Sequence, residues 1–169
     1  MMRRGGGKAK GSAFEREVCK LLSLWVSDGK DEDLFWRSAM SGGRSTVAHK
    51  KGRVVRQSGD ITAVAPAGHA LTDHWHIECK AYRDIRLGQF IVKNTGPMAE
   101  WWKTACKQAA LWEKKPALIV KQNGWPTLFI ASSILPVRAM PVPLFTMRWG
   151  RSVYLFTGVL NCTFSRRAS

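Results

Sequence analysis

The stretch Ser58–Ala81, SGDITAVAPAGHALTDHWHIECKA, contains the features that decide the fold. Gly59 and Asp60 come directly before a short apolar run, and the segment 66–68, Pro-Ala-Gly, is typical of a turn. A second apolar segment with β-forming residues, Trp75–Ala81, follows this turn. The pattern therefore predicts a β-hairpin.

Side chains alternate along the second predicted strand, so it presents two different faces. One face is apolar and suits a core, whereas the other is polar and ionisable. We expect Asp60, on the neighbouring strand, to meet the ionisable face. The apolar face comprises Trp75, Ile77 and Cys79, and the ionisable face comprises His76, Glu78 and Lys80.

Two carboxylates beside a lysine are the groups that metal-assisted cleavage of a phosphodiester needs. Mg²⁺ is usually held by one or two carboxylates and keeps several waters, and the bound metal activates a nucleophile. A lysine can stabilise the charge that develops in the transition state. A Glu-x-Lys triplet alone is common and equally typical of a surface ion pair. Its combination with Gly59-Asp60 in a basic chain favours the nuclease interpretation.

The charge of the chain indicates the partner. The 169 residues include 27 Lys and Arg against 12 Asp and Glu, a net charge of +15. Such a balance points to nucleic acid or to an anionic membrane. No apolar run approaches the roughly 20 residues that span a bilayer, so we expect DNA and no membrane partner. The four cysteines are scattered without a Cys-x-x-Cys pair, which predicts reduced thiols in a cytoplasmic protein.

The motifs Gly59-Asp60 and Glu78-Cys79-Lys80, with the upstream segment 11–17 (GSAFERE), resemble the PD-(D/E)xK nuclease superfamily. Within it, the chain is similar to the archaeal-type Holliday-junction resolvases, including those of phages. The resemblance extends over about residues 11–130 in the order of elements. Two departures are a glycine, Gly59, where the family often has proline, and a long loop before Asp60.

The resemblance implies an α/β fold, with a central mixed β-sheet flanked by helices as in restriction endonucleases. It also implies a homodimer that cuts four-way junctions with Mg²⁺, or Mn²⁺, as cofactor. Asp60, Glu78 and the backbone carbonyl of Cys79 would hold the metal, and Glu15 would complete the site. Lys80 would orient the attacking water and stabilise the charge of the transition state. Restriction-type or end-processing nucleases, and a non-catalytic basic DNA-binding protein, stay open as alternatives.

The apolar spacing in Ser12–Ser27 predicts an amphipathic helix. Ser12 and Glu15 also match a capping box, in which the Glu15 side chain would accept a hydrogen bond from the backbone N–H of Ser12. Spacing alone favours the capping box, whereas the resemblance favours a metal-site carboxylate at Glu15. Arg16 would then face the DNA backbone.

The segment 37–58 is rich in Ser, Gly and basic residues and predicts a DNA-gripping loop. We expect residues 1–11 to form a flexible basic arm and residues 12–169 to form a single nuclease domain. The predicted DNA-binding residues are Arg16, Arg37, Ser41, Arg44, Lys50, Lys51, Arg53 and Arg56.

The other elements are predicted from local patterns. A helix begins at Pro97 and ends at residues 114–116, and a second hairpin surrounds Asn123 and Gly124. Short strands are predicted at 34–36 and 152–157. A zinc site at His74 and His76 is disfavoured, because Asp73 is the only other obvious ligand nearby.

Overall fold

The computed structural model describes residues 6–38, 58–132, 135–148 and 150–165. Six of the predicted DNA-binding residues lie outside these ranges, so the predicted gripping loop stays a prediction: Ser41, Arg44, Lys50, Lys51, Arg53 and Arg56. The division into an arm and a single domain also stays a prediction.

Helices and short strands alternate along the described chain. The helices are α1 (Gly6–Val26), a 3-10 turn (Pro66–Gly68), α2 (His69–Thr72), α3 (Leu87–Lys93), α4 (Pro97–Leu111) and α5 (Phe156–Leu160). The strands are β1 (Phe35–Arg37), β2 (Ile61–Ala63), β3 (Trp75–Tyr82), β4 (Lys115–Gln122), β5 (Leu128–Ala131), β6 (Phe145–Met147) and β7 (Arg151–Leu155).

Five of the described strands form a mixed sheet in the order β3-β4-β5-β7-β6. Strands β3 and β4 are parallel, because α3 and α4 carry the chain back across the sheet between them. The remaining pairs are antiparallel. The predicted α/β fold with a mixed sheet and flanking helices is therefore confirmed.

Both faces of the five-stranded sheet are buried, since residues of β4 alternate between two apolar clusters. Ala117 and Ile119 pack on the side of α1, and Leu118 and Val120 pack on the side of α3 and α4. This alternation explains why β4 is an unbroken apolar run in the sequence. In this sheet β3 is an edge strand, and α1 packs next to it.

The predicted hairpin at Ser58–Ala81 is wrong. Strand β2 pairs antiparallel with β1 in a separate two-stranded sheet, and Gly59 forms a parallel bridge with Ile77 of β3. The physical reason lies in residues 66–72, which form a 3-10 turn and a short helix instead of a tight turn. This longer connection lets the two strands run in the same direction.

Helix α1 begins at Gly6, earlier than predicted, so Ser12 lies inside the helix. A residue in the helix interior cannot serve as its N-cap, and the capping-box interpretation of Glu15 is therefore wrong. No acidic residue lies in the first turn of α1. Part of the segment expected to be a flexible arm, from Gly6 onward, is helical.

The predicted hairpin around Asn123 and Gly124 is confirmed, with β4 and β5 as its strands. Helix α4 begins at Pro97 as predicted but ends at Leu111, and Lys115 and Pro116 already belong to β4. The segment 152–157 is a strand only as far as Leu155.

The C-terminal part of the chain packs against the C-terminal end of α1. The indole Nε1 of Trp25 donates a hydrogen bond to the carbonyl of Cys162 over 2.7 Å, and its ring meets Phe164 edge-on at 5.0 Å. All four cysteines are free thiols. No helix in the described ranges is long and apolar enough to cross a membrane.

Candidate active site

Asp60, Glu78 and Lys80 converge at the outer edge of β3. Lys80 Nζ lies 2.7 Å from Glu78 Oε2 and 3.9 Å from Asp60 Oδ2. Both carboxyl groups are buried, with Asp60 5% and Glu78 7% exposed. The structure thus brings together three of the four predicted catalytic side chains, although the predicted hairpin geometry was wrong.

The backbone of β3 holds Asp60 in place. The N–H of Asp60 donates to the carbonyl of Ile77 at 2.8 Å, and the N–H of Cys79 donates to Oδ2 of Asp60 at 2.8 Å. An edge strand has backbone groups without a sheet partner, and Asp60 satisfies two of them. The carboxylate is therefore oriented by the strand that carries Glu78 and Lys80.

Gly59 makes this approach possible. Its φ is +82°, and a Cβ at this position would lie 2.5 Å from the carbonyl oxygen of Ile77. Only glycine combines the positive φ with such close contact to another backbone. The departure from the family's usual proline thus has a local cause, because proline fixes φ near −65°.

The cluster perturbs the protonation of its members. Burial, reinforced by the charge of Glu78, raises the pKa of Asp60 to about 7. Burial alone would raise the pKa of Glu78 as well, but His76 and Lys80 outweigh it and lower that pKa. Burial opposes the charge of Lys80, yet Glu78 and Asp60 raise the pKa of Lys80 overall, so it carries a proton.

His76 contacts the same carboxylate from its other side. Its Nε2 lies 3.2 Å from Glu78 Oε1, and the ring is 1% exposed. Neither ring nitrogen of His76 makes a well-directed hydrogen bond, so this contact is a close polar approach. The sequence pattern placed His76 on the ionisable face with Glu78 but assigned it no role in the site. The alternation of side chains along β3 was the signal that could have identified His76 as a neighbour of Glu78.

Glu15 lies near this cluster but is bonded elsewhere. Its Oε2 accepts a hydrogen bond from Arg37 Nε at 2.8 Å, and its charge contributes to the raised pKa of Asp60. Arg37, predicted to bind DNA, therefore holds Glu15 in this structure. Arg16 is exposed on α1 beside them.

The donor set fits a hard divalent cation. Burial, reinforced by the charge of Glu78, raises the pKa of Asp60 to about 7, and a cation bound between the two carboxylates would favour the ionised form of Asp60. Among the described residues, no three His, Cys, Asp or Glu side chains already form a metal-binding group. The hydrogen bond from Arg37 engages Oε2 of Glu15, the carboxylate proposed as the third ligand. The zinc interpretation finds no support, since Asp73 pairs with His69 and His76 faces Glu78.

A mixed sheet whose edge strand β3 carries a Glu-x-Lys triplet, with an Asp bonded to that strand from the segment before β2, is the arrangement expected of a PD-(D/E)xK nuclease. The chain matches the family model described as "Phage putative PDDEXK endonuclease" over residues 6–141, and it belongs to that family. No curated protein and no solved structure matches it. The matched region ends before β6, so the last two strands of the sheet and α5 lie beyond it.

Proposed function

We propose that this chain is a metal-dependent, structure-selective DNA endonuclease that resolves four-way junctions as a homodimer. The observation that carries the proposal is the convergence of Asp60, Glu78 and Lys80 on one strand edge in a phage endonuclease family. The proposed cofactor is Mg²⁺, with Mn²⁺ as a substitute.

The roles proposed for the side chains come from the resemblance, and the proximity of Asp60, Glu78 and Lys80 supports them. Asp60 and Glu78, with the carbonyl of Cys79, would hold the metal, and Glu15 would complete the site. A metal bound there would polarise the scissile phosphate and favour ionisation of an attacking water. Lys80, charged and tethered by Glu78, can donate hydrogen bonds to that water or to a phosphate oxygen.

His76 would restrain Glu78. Its ring packs against Oε1, and Lys80 binds Oε2, so both oxygens of this carboxylate are held from opposite sides. Groups that fix a metal ligand in this way commonly affect metal affinity about tenfold or more.

Junction resolution is the favoured activity because of the resemblance to junction resolvases. A chain with a net charge of +15 binds any DNA at low salt, so affinity alone carries no selectivity. Selectivity requires two active sites at a fixed spacing across a two-fold axis, which is the basis for proposing a homodimer. The free thiols support the proposal that it acts in the cytoplasm.

The test is cleavage of a synthetic four-way junction and of linear duplex of the same sequence, at moderate salt, with Mg²⁺, Mn²⁺ or EDTA. We expect paired nicks in opposing strands of the junction, only with metal, and far less cutting of the duplex. Asp60→Asn and Lys80→Ala should each lower the cleavage rate at least about a thousandfold. Lys115→Ala is the matched control, because Lys115 lies on β4 opposite Trp75, away from the carboxylates.

Each result distinguishes the alternatives. Equal cutting of junction and duplex, or a monomer on DNA, leaves a metal-dependent nuclease of another kind in the same superfamily. Binding without cleavage under any metal, and no effect of Asp60→Asn, indicates a non-catalytic DNA-binding protein.

A further inference from the structure

A recess lies between α1, β1 and the turn that joins them, with Arg37, the partner of Glu15, in its lining. This recess, which we call the Trp36 cleft, has a volume of about 360 Å³. Its size falls within the range of small-molecule sites, and it is lined by charged side chains and one exposed aromatic ring. The lining residues that carry the argument are Arg16, Lys20, Asp33, Trp36 and Arg37.

Trp36 is the unusual member of this lining. Its indole is 62% exposed, although its neighbour Phe35 is fully buried in the core. The alternation of β1 turns Trp36 away from that core, and its strand partner across the ladder is Thr62. An exposed tryptophan in a recess lined by charged groups of both signs offers a flat surface on which a nucleobase can stack.

The two ends of the Trp36 cleft carry different charged groups. Strand β1 runs antiparallel to α1, since Arg37 bonds Glu15 and the N–H of Phe35 donates to Ser23 Oγ at 3.1 Å. The end of the cleft next to Glu15 therefore carries Arg16, together with Arg37, whose charge is paired with Glu15. At the far end, Lys20 is neutralised by Glu32 at 2.7 Å, and Asp33 is next to that pair.

The two ends suit different parts of a nucleotide. Among the described residues, Arg16 has no ion-pair partner, so its guanidinium is available to a phosphate. The acidic far end would repel a phosphate, but the Asp33 carboxylate can accept a hydrogen bond from the edge of a base. Arg16 follows Glu15 directly on α1, so a phosphate bound by Arg16 would lie at the end of the cleft nearest Glu15.

From these positions we infer that the Trp36 cleft binds one unpaired nucleotide of the DNA substrate, with its base against Trp36 and its phosphate at Arg16. The inference rests on the proposed nuclease function and specifies its substrate: DNA in which a nucleotide next to the cut is out of the duplex stack. Branched and bulged DNA supply such nucleotides at lower cost than a fully paired duplex.

The experiment measures binding without cleavage, in EDTA. One probe is a duplex with a single unpaired 2-aminopurine nucleotide, and the other is the fully paired duplex with 2-aminopurine at the same place. Wild type should bind the unpaired probe more tightly and quench its fluorescence. Trp36→Ala should lose about tenfold in affinity for the unpaired probe alone, together with the quenching.

Two further variants distinguish a loss of stacking from a loss of folding or of any exposed tryptophan. Trp36→Phe retains an aromatic surface and should restore most of the affinity, while its melting temperature reports on folding. Trp125→Ala removes a tryptophan of similar exposure, 52%, from the turn between β4 and β5 and should leave the quenching unchanged.

Quenching that persists in Trp36→Ala, or equal binding of the two probes by wild type, overturns the inference. The proposed function is judged separately, because it depends on metal-dependent cleavage and on Asp60. Cleavage that requires Asp60, with no dependence of base binding on Trp36, would leave the nuclease and remove only this cleft.

Discussion

The N–H of Cys79 donates a hydrogen bond to Oδ2 of Asp60 over 2.8 Å, so the strand that carries Glu78 and Lys80 also orients Asp60. Seventeen residues separate Asp60 from Glu78 in the sequence, yet a backbone contact couples the two motifs. Any change that moves residues 59–60 away from β3 should therefore disturb the carboxylate pair before it disturbs the core.

Gly59→Ala tests this coupling. The added Cβ would meet the carbonyl oxygen of Ile77 at 2.5 Å, and the φ of +82° strains any L side chain. We expect the variant to lose most of its activity and about 2 kcal/mol more of its unfolding free energy than the control below, measured by urea denaturation.

Gly29→Ala is the matched control for Gly59→Ala. Gly29 has a φ of +77°, but a Cβ there would meet nothing within 4 Å. It should lose only about 1 kcal/mol, from backbone strain. Equal losses in the two variants would show that the close approach to Ile77 is unimportant.

The sequence was sufficient to predict that Asp60, Glu78 and Lys80 lie together, but not the topology around them. Alternation in 75–81 correctly separated Ile77 and Cys79 from Glu78 and Lys80, because strand geometry is local. The pairing of β2 with β1 instead of β3 is a long-range choice, which depends on how residues 66–72 fold. The capping box failed for a similar reason, since α1 continues upstream through glycines that have low helix propensity.

Asp60 should make the stability of the metal-free chain depend on pH. Its pKa is about 7 when folded and near the ordinary value of 3.8 when unfolded, so the folded state holds the extra proton between these values. The free energy of unfolding should therefore fall as pH rises from 5 to 8, by on the order of 3 kcal/mol at most. Urea denaturation in EDTA across this range measures the slope.

Asp60→Asn is the control for that slope. Its amide oxygen can still accept the Cys79 N–H, but it carries no charge, so the variant should be more stable than wild type at pH 8 and lack the decline. Glu78, whose pKa is lowered, contributes only below about pH 4.5 and does not affect this window. A wild-type profile as flat as that of the variant would argue against a strained carboxylate pair.

Glu15→Gln asks whether Glu15 is a metal ligand. Because α1 begins at Gly6, Glu15 does not cap this helix. Its side chain instead accepts a hydrogen bond from Arg37. Glutamine can keep a hydrogen bond to Arg37 but is a poor ligand for Mg²⁺. We expect a loss of at least about tenfold in cleavage rate, with stability changed by less than about 1 kcal/mol.

Glu17→Gln is the comparison for Glu15→Gln. Glu17 lies on the same helix but is exposed and paired with Lys121 at 2.8 Å. It should cleave at the wild-type rate. If both variants keep full activity, Glu15 does not belong to the metal site.

The final prediction concerns His76, which is buried against Glu78 Oε1 at 3.2 Å. His76→Phe fills the same space without a polar atom, so the fold should persist while Glu78 loses one of its two restraints. Mn²⁺ affinity, measured by calorimetry on the DNA-free protein, should drop about tenfold, and single-turnover cleavage at saturating metal should fall much less. His76→Gln offers an amide N–H to the same oxygen and should recover part of the affinity. A purely structural role predicts a different pattern: lower melting temperatures in both variants and an unchanged Mn²⁺ affinity in the fraction that stays folded.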